Sequence, residues 1–278
     1  MASVARGASV LRILLLSLYS ITVLYPLLWM IRLSLGDLQG MYASPWRIIP
    51  DQWKWDNFQS AWKVGQIGTA LYNTLFITFI SLLLIVVFCY LASYALARMR
   101  FAGRGFLMML FVSTMLLPLQ IILIPLYRID VLFGINNSHL GLILPYIAAG
   151  LPISIFLMTA FLRTIPFELE ESAAIDGCSR LRLIVSILFP LSRPGLATVV
   201  IFQFMNIWNE FPLALTVLNN PDLRTVTLAL TSFKGQWGLM DFNKLFAALT
   251  ITTMPLVLMF ILFQRQFISG LTSGALKG

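Results

Sequence analysis

The chain of 278 residues is 59% hydrophobic and only 11% charged, with a mean hydropathy of +0.88. These values do not suit a soluble globular protein and indicate an integral membrane protein. The formal net charge of +8 does not indicate nucleic-acid binding, because the basic residues form short clusters beside apolar runs, as the positive-inside rule predicts.

The first apolar run precedes a polar segment that is rich in aromatic residues. Basic residues before the run predict a cytoplasmic N-terminus at 1–12 and a first transmembrane helix at 13–33. The length of the run and the lack of a small-residue cleavage site after it argue against a signal peptide. Residues 34–68 contain prolines and several tryptophans, which is typical of an extracytoplasmic segment at a membrane interface.

Five further apolar runs are predicted to form a transmembrane core at 69–268. They lie at 71–96, 105–127, 139–162, 195–218 and 245–264. Prolines inside the second and third of these runs break helical hydrogen bonds, so we expect those helices to line a cavity. Arginine clusters at 98–104 and 163–193 predict that both termini and the segment before the fifth span are cytoplasmic.

The sequence offers no catalytic or metal site. Cys89 lies in an apolar run, Cys178 lies beside a charged segment, and His139 has no acidic or cysteine companion nearby. There is no phosphate-binding loop of the Gly-x-x-x-x-Gly-Lys-[Ser/Thr] type either. We therefore expect no enzymatic activity, metal or cofactor in this chain, and its energy must come from a partner or a gradient.

A charged segment at about 164–180 interrupts the apolar chain. Thr164 as a cap, Pro166 in the first turn and three glutamates near the N-terminus predict a short helix. Gly177 is expected to end this helix.

Small residues are expected to make this short helix a docking site. Ala173 and Gly177, four residues apart, would leave one side without bulk, while Glu171 and Asp176 supply charge at its edges. Another protein could then approach the backbone closely. The alternative is an ordinary surface helix between two spans.

The spacing across this segment resembles the Glu-Ala-Ala-x-x-x-Gly-x9-Ile-x-Leu-Pro signature of permease subunits of bacterial ABC importers. The matching positions are Glu171, Ala173, Gly177, Ile187 and Pro190, and residue 172 is also small. Two residues depart from it, since Ser172 replaces the first alanine and Phe189 replaces the leucine. Further stretches resemble the carbohydrate-uptake branch, in a subunit similar to the smaller maltose-transporter permease. These stretches are 117–127, 142–146, 208–211, 263–265 and 270–278.

The resemblance implies an all-α integral membrane protein with the type I ABC importer permease fold. That fold has six transmembrane helices, cytoplasmic termini and a cytoplasmic coupling helix, here at about 164–180, in a bacterial or archaeal plasma membrane. The implied partners are the lipid bilayer, a second permease expected to be a sibling in a heterodimer, two ATPase subunits that hold ATP and Mg, and an extracytoplasmic solute-binding protein.

The resemblance also implies which residues contact the ATPase. In the charged segment these are Glu171, Ser172, Ala173, Ala174, Asp176, Gly177, Ile187 and Pro190. In the small and flexible cytoplasmic tail at 269–278 they are Gly270, Thr272, Ser273 and Gly274.

A polar stripe on the fifth span indicates a translocation pathway. Gln203, Asn206 and Glu210 are spaced i, i+3 and i+7, so they share one helical face. An acid inside a span indicates a functional site. The alternative is that Glu210 lies at the outer interface and pairs with a lysine or a helix end. Further candidates for this pathway are Gln120, Tyr146 and Asn209.

We therefore expect a permease subunit that forms half of the pathway for a sugar or a sugar-like solute. The solute could be a di- or oligosaccharide, a polyol or a glycerol conjugate. A secondary active sugar transporter is the main alternative, but the chain lacks paired intramembrane charges and an evident internal repeat. A membrane-embedded enzyme would need a nucleophile-base or metal constellation. Both alternatives leave the charged segment unexplained.

Overall fold

The computed structural model describes the backbone of residues 2–44, 46–50, 52–234 and 240–275, and within these the side chains of 11–264 except at 38 and 41. The helices, in chain order, are α1 (Ala2–Leu35), α2 (Leu38–Ala43), α3 (Asp56–Val64), α4 (Ile67–Arg98), α5 (Arg104–Thr114), α6 (Leu119–Leu132), α7 (Leu140–Leu162), α8 (Glu168–Ile175), α9 (Arg180–Leu191), α10 (Arg193–Trp208), α11 (Pro212–Val217), α12 (Val226–Ala229) and α13 (Phe242–Ala275). Short 3-10 turns occupy Pro221–Leu223 and Leu230–Phe233.

Most of the apolar runs form helices that are long enough to cross a bilayer. Within the described residues, four helices are long and apolar enough on their own: α1, α4, α7 and α13. Two further pairs pass it together but are bent, by 99° between α5 and α6 and by 71° between α9 and α10. The all-α membrane fold is therefore confirmed. If each bent pair is one span, the count is six, the number that the sequence predicts.

Two spans break next to a proline, whereas Pro125, Pro145 and Pro152 lie inside continuous helices. Pro118 has extended backbone angles and immediately precedes α6, so it interrupts the third predicted span as expected. The prediction of a continuous fifth span from 195 to 218 is wrong, because α10 ends at Trp208 and α11 begins at Pro212. Pro212 cannot donate to the preceding turn, and it also disfavours a helical conformation at Phe211.

The last helix is longer than the sequence predicts. The sixth span was expected to end near 264 and to lead into a flexible tail at Gly270, but α13 continues to Ala275. The prediction of a non-helical chain is therefore wrong for residues 270–275. An existing helix extends without a new nucleation step, and a glycine in it costs only about 1 kcal/mol.

The chain divides into two compact units. The first comprises residues 1–68 and 229–254, and the second comprises residues 69–228 and 255–278. In the first unit, side-chain amides satisfy the carbonyl groups at the end of α1. Asn57 donates to Gly36 at 2.8 Å, and Asn243 donates to the same carbonyl at 3.0 Å. These bonds fix the start of the polar segment that follows the first span.

The second unit has a continuous apolar core built from α4, α7, α9, α10 and α11. Buried polar side chains of α4 cross-link it. The Ser93 hydroxyl donates to the Ile155 carbonyl at 3.1 Å, and the Tyr90 hydroxyl donates to the Ile184 carbonyl at 2.8 Å. Each bond satisfies a polar group that would otherwise be buried without a partner. The core therefore holds both α7 and α9 against α4.

Candidate functional site

A cavity of about 630 Å³ lies between the broken third span, α7 and α10. Its wall is mainly apolar, and the polar side chains that line it are Thr114, Tyr146, Gln203, Asn206 and Glu210. Pro145 and Pro152 also line it. Because Pro152 leaves the carbonyl of Ala148 without its helical donor, and Ala148 is itself a wall residue, the cavity lies where helix α7 is locally incomplete.

Glu210 lies in the break between α10 and α11, and its carboxylate joins α11 to α7. Its carboxylate accepts a hydrogen bond from the Tyr146 hydroxyl at 2.7 Å. It also accepts the backbone amides of Leu213 and Ala214 at 2.6 and 3.1 Å, in the first turn of α11. The side chain therefore caps a helix and at the same time lines the cavity.

Gln203 joins α10 to α7 inside the wall. It is 3% exposed, and its amide nitrogen donates to the Gly150 carbonyl at 2.8 Å and to the Ser154 hydroxyl at 2.9 Å. A Cβ atom at Gly150 would lie 2.8 Å from Ile85 and 3.0 Å from the Gln203 side chain. A larger residue at this position would have to displace Ile85 of α4 and Gln203 of α10, so glycine allows α7 to pack closely against both helices.

The structure brings together four of the six residues that the sequence predicts for the pathway. Tyr146, Gln203, Asn206 and Glu210 line the same cavity. Gln120 is exposed and is not among the lining residues. Asn209 is also exposed and donates to the Met205 carbonyl of its own helix at 2.8 Å. Sequence periodicity did not identify Gly150 and Ser154, because their role depends on contact with another helix.

The charged segment contains the predicted short helix, α8, with a different beginning. Phe167 occupies the N-cap position, and Thr164 instead donates its hydroxyl to Phe161 one turn back in α7. The prediction that Thr164 caps α8 is therefore wrong. Gly177 does end the helix, as predicted. Its φ of +74° and the bond from the Cys178 amide to the Ala173 carbonyl form a glycine-dependent C-terminal motif.

The small residues of α8 do not form one bare face. Ala173 is 8% exposed and packs into the core of its own chain, whereas Gly177 is exposed and has nothing within 4 Å of its Cβ position. The prediction that these two residues share an open side is wrong. Ala173 is small because it packs internally, and Gly177 is required by its positive φ. The exposed surface of α8 and the turn after it carries Glu168, Glu171, Ser172, Ala174, Ile175 and Asp176.

Glu170 points into the protein, next to the exposed Glu171. Its Oε1 atom lies 2.6 Å from Nε of Arg98, the last residue of α4, and both side chains are 8% exposed. Burial raises the pKa of Glu170 above its ordinary value of 4.5, and the positive charge of Arg98 opposes this shift. Glu170 and Ala173 are three residues apart, so a buried Ala173 would have indicated a buried Glu170.

The remaining predicted contact residues are placed as follows. Ile187 is half-buried within a π-helical turn, Leu183–Leu188, in the middle of α9, and Pro190 is exposed near its end. Gly270, Thr272, Ser273 and Gly274 lie in the last turns of α13, where only the backbone is described. In the described part of the chain, no three His, Cys, Asp or Glu side chains are grouped as metal ligands.

Apolar helices bent around a cavity with polar side chains, together with an exposed acidic helix between two of them, define a helical membrane permease. The comparison of the sequence with known families agrees. The family described as "Binding-protein-dependent transport system inner membrane component" matches residues 89–273, so the chain belongs to this family.

Individual relatives match along most of their length. The diacetylchitobiose uptake system permease protein NgcG of Streptomyces coelicolor is 31% identical, over 95% of this chain and 87% of that protein. The sulfoquinovosyl glycerol transport system permease protein SmoH of Agrobacterium fabrum is 32% identical, over 96% and 94%. The fold resembles a crystal structure of a bacterial ABC transporter involved in import of the acidic polysaccharide alginate, with a TM-score of 0.80, 19% identity and coverage of 94% and 97%. The predicted ABC importer permease fold is thereby confirmed.

Proposed function

We propose that the chain forms half of the translocation pathway of an importer for a carbohydrate or a carbohydrate conjugate. The cavity between α5, α6, α7 and α10 carries this proposal. Its volume of about 630 Å³ lies inside the range of roughly 300–1,000 Å³ that is usual for small-molecule sites. Similarity to NgcG and SmoH, whose names specify a disaccharide and a sugar-glycerol conjugate, supports this solute class.

The lining chemistry suits a polyhydroxylated solute. Most of the wall is apolar, while Asn206 offers an amide donor and acceptor and Tyr146 offers an aromatic ring. Sugars present both hydroxyl groups and apolar ring faces, so this mixture matches them. A second permease, expected to be a sibling, would supply the other half of the pathway.

Energy is proposed to come from separate ATPase subunits that bind α8. The chain contains no phosphate-binding loop, and α8 exposes charge together with apolar surface. Glu171 is exposed on its outer side, and Ile175 is 86% exposed at its end. A large apolar side chain beside a carboxylate at this exposure suits a protein contact. In this arrangement both termini and α8 are cytoplasmic, and the tail residues of α13 provide a further contact.

The proposal is tested by isolating the native complex. The tagged chain is purified from its host membranes in mild detergent, and the co-purifying subunits are identified by mass spectrometry. After reconstitution with the external binding protein, ATP hydrolysis is measured with mono-, di- and oligosaccharides, polyols and glycerol conjugates. We expect an ATPase and a second permease in the complex, and hydrolysis stimulated by one of these solute groups. A complex without an ATPase, or uptake driven by an ion gradient alone, would contradict the proposal.

A further inference from the structure

The C-terminal part of α4 contacts α8, the residues before it and the helix that follows it. The Arg98 guanidinium lies 2.6 Å from Glu170 of α8, and it also donates to the Ile165 carbonyl at 2.7 Å. The Phe167 ring lies under it, 5.8 Å from the guanidinium carbon. A single side chain of α4 thus contacts the residues before α8, its N-cap and its first turn.

The same end of α4 also contacts α9, which follows α8. The Tyr90 hydroxyl donates to the Ile184 carbonyl in the π-helical turn, and its ring packs edge-on against Phe189 at 5.5 Å. Tyr90 and Arg98 are eight residues apart, which places them near one face of α4. This face therefore holds the chain both before and after the C-terminus of α8.

We propose that Arg98 and Glu170 are positioning residues that transmit movement of a docked ATPase from α8 to α4. The inference rests on the proposed function, in which α8 binds the ATPase. Glu171 faces outward to the partner, while its neighbour Glu170 faces inward to Arg98. Separating opposite charges in a buried site of low dielectric constant is unfavourable, so α8 cannot move away from α4 independently.

The test uses isosteric variants in the reconstituted complex. Glu170→Gln keeps the side-chain shape and removes the charge, Arg98→Met removes the guanidinium, and Arg98→Lys retains a positive charge. Exposed residues outside α8 provide the control variants Asp222→Asn and Arg100→Met. Three quantities are measured: ATPase subunits retained per permease, stimulated ATP hydrolysis, and solute transported per ATP hydrolysed.

We expect Glu170→Gln and Arg98→Met to retain the ATPase but to transport at least about tenfold less solute per ATP. Arg98→Lys should recover most of the loss, because it restores the opposite charge, and both controls should match the parent. The inference is overturned if transport per ATP stays at the parent value in both variants. It is also overturned if the variants lose the ATPase, since the pair would then only shape the docking surface.

The two proposals fail differently. If the parent complex contains no ATPase, the proposed function is wrong. If the parent and Glu170→Gln transport the same amount of solute per ATP hydrolysed, only the proposed role of this ion pair is wrong. Should Arg98→Met fail to insert, the comparison of Glu170→Gln with Asp222→Asn still decides the question.

Discussion

Tyr146 and Glu210 are joined by a hydrogen bond of 2.7 Å across the cavity wall, at the point where α10 ends. The two residues are 64 positions apart in sequence. Their contact links the helix that contains two prolines to the break in the following span. The sequence leaves open whether Glu210 lines the pathway or pairs with a helix end. In the structure the carboxylate does both, since it lines the cavity and binds the first turn of α11.

The first prediction concerns this carboxylate. Glu210→Gln replaces one acceptor oxygen with a donor, so it cannot accept the Tyr146 hydroxyl and both α11 amides. A buried donor left without a partner costs about 1–3 kcal/mol. We expect uptake to fall about tenfold or more while the complex still assembles, and Tyr146→Phe to have a smaller effect. Asn209→Ala is the control, since Asn209 is exposed and donates to a carbonyl of its own helix. Parent-level uptake in Glu210→Gln would show that the residue is not needed for transport.

The second prediction concerns the packing of α7 against α4 and α10 at Gly150. Gly150→Ala would place a Cβ atom 2.8 Å from Ile85, and overpacking of this kind costs about 1–3 kcal/mol. We expect a lower midpoint of thermal unfolding in detergent, measured by loss of monodisperse protein. Ala149→Ser, on the same helix and in the cavity wall, is the matched control. Equal midpoints for the parent and Gly150→Ala would show that the Ile85 and Gln203 side chains can shift without loss of stability.

The third prediction separates bulk from backbone conformation at Gly177. Its φ of +74° disfavours most side chains, but asparagine tolerates this region better than leucine. We expect Gly177→Leu to reduce the ATPase retained during purification, and Gly177→Asn to retain more. If leucine and asparagine reduce retention equally, the partner requires a bare surface at this position. Full retention in both variants would mean that the end of α8 does not contribute to docking.

These results show which features the sequence could predict. Periodicity places Gln203 and Asn206 on one face, because both lie in the regular helix α10. It cannot predict which way a short helix faces, so Ala173 was assigned to the outer surface although it is buried. The pairing of Arg98 with Glu170 joins residues in different helices, and local spacing contains no signal for such a contact.

Helix ends were predictable where a single residue determines them. Gly177 could be assigned from its residue type, because few other residues adopt its φ. The role of Thr164 could not be assigned in this way. A threonine hydroxyl can accept from an amide of the following helix or donate to a carbonyl of the preceding turn, and here it donates to the preceding turn. The break after Trp208 also needed more than composition, because the run from 195 to 218 is apolar enough to resemble one continuous helix.

The fourth prediction concerns pH. Because the folded pKa of Glu170 is raised above 4.5, the folded protein retains a proton there that the unfolded chain has lost. The stability contributed by this group therefore falls as pH rises from 4.5 through the raised pKa. The ion pair follows the opposite course, being present above the raised pKa and lost as pH falls through it. The titratable and charged groups that interact with Glu170 are Tyr90, Tyr94 and Arg98.

The measurement for this prediction is solute transported per ATP as a function of pH. In the parent, the ratio should decline as pH falls through the raised pKa and approach the value of Glu170→Gln. The Gln variant should lack this component of the pH profile. Identical profiles for both proteins would show that protonation of Glu170 does not affect coupling.

The fifth prediction concerns orientation in the membrane. In a background without Cys89 and Cys178, single cysteines are placed at the exposed positions Ala102 and Asn219. Cysteine at 219 should react with an impermeant thiol reagent added outside, because the positive-inside rule places the 98–104 cluster in the cytoplasm. Cysteine at 102 should react only with reagents that cross the membrane. The opposite pattern would reverse the proposed orientation.

The break at Glu210 also affects the electrostatic selectivity of the cavity. An acid on the wall of a passage would ordinarily attract cations and repel anions. Here the carboxylate is already surrounded by three donors, two of them amides at the positive end of a helix. Dipoles of the protein therefore stabilise its negative charge before any solute arrives. In the proposed pathway, a solute would therefore meet a carboxylate whose hydrogen-bonding capacity is largely taken up by the protein.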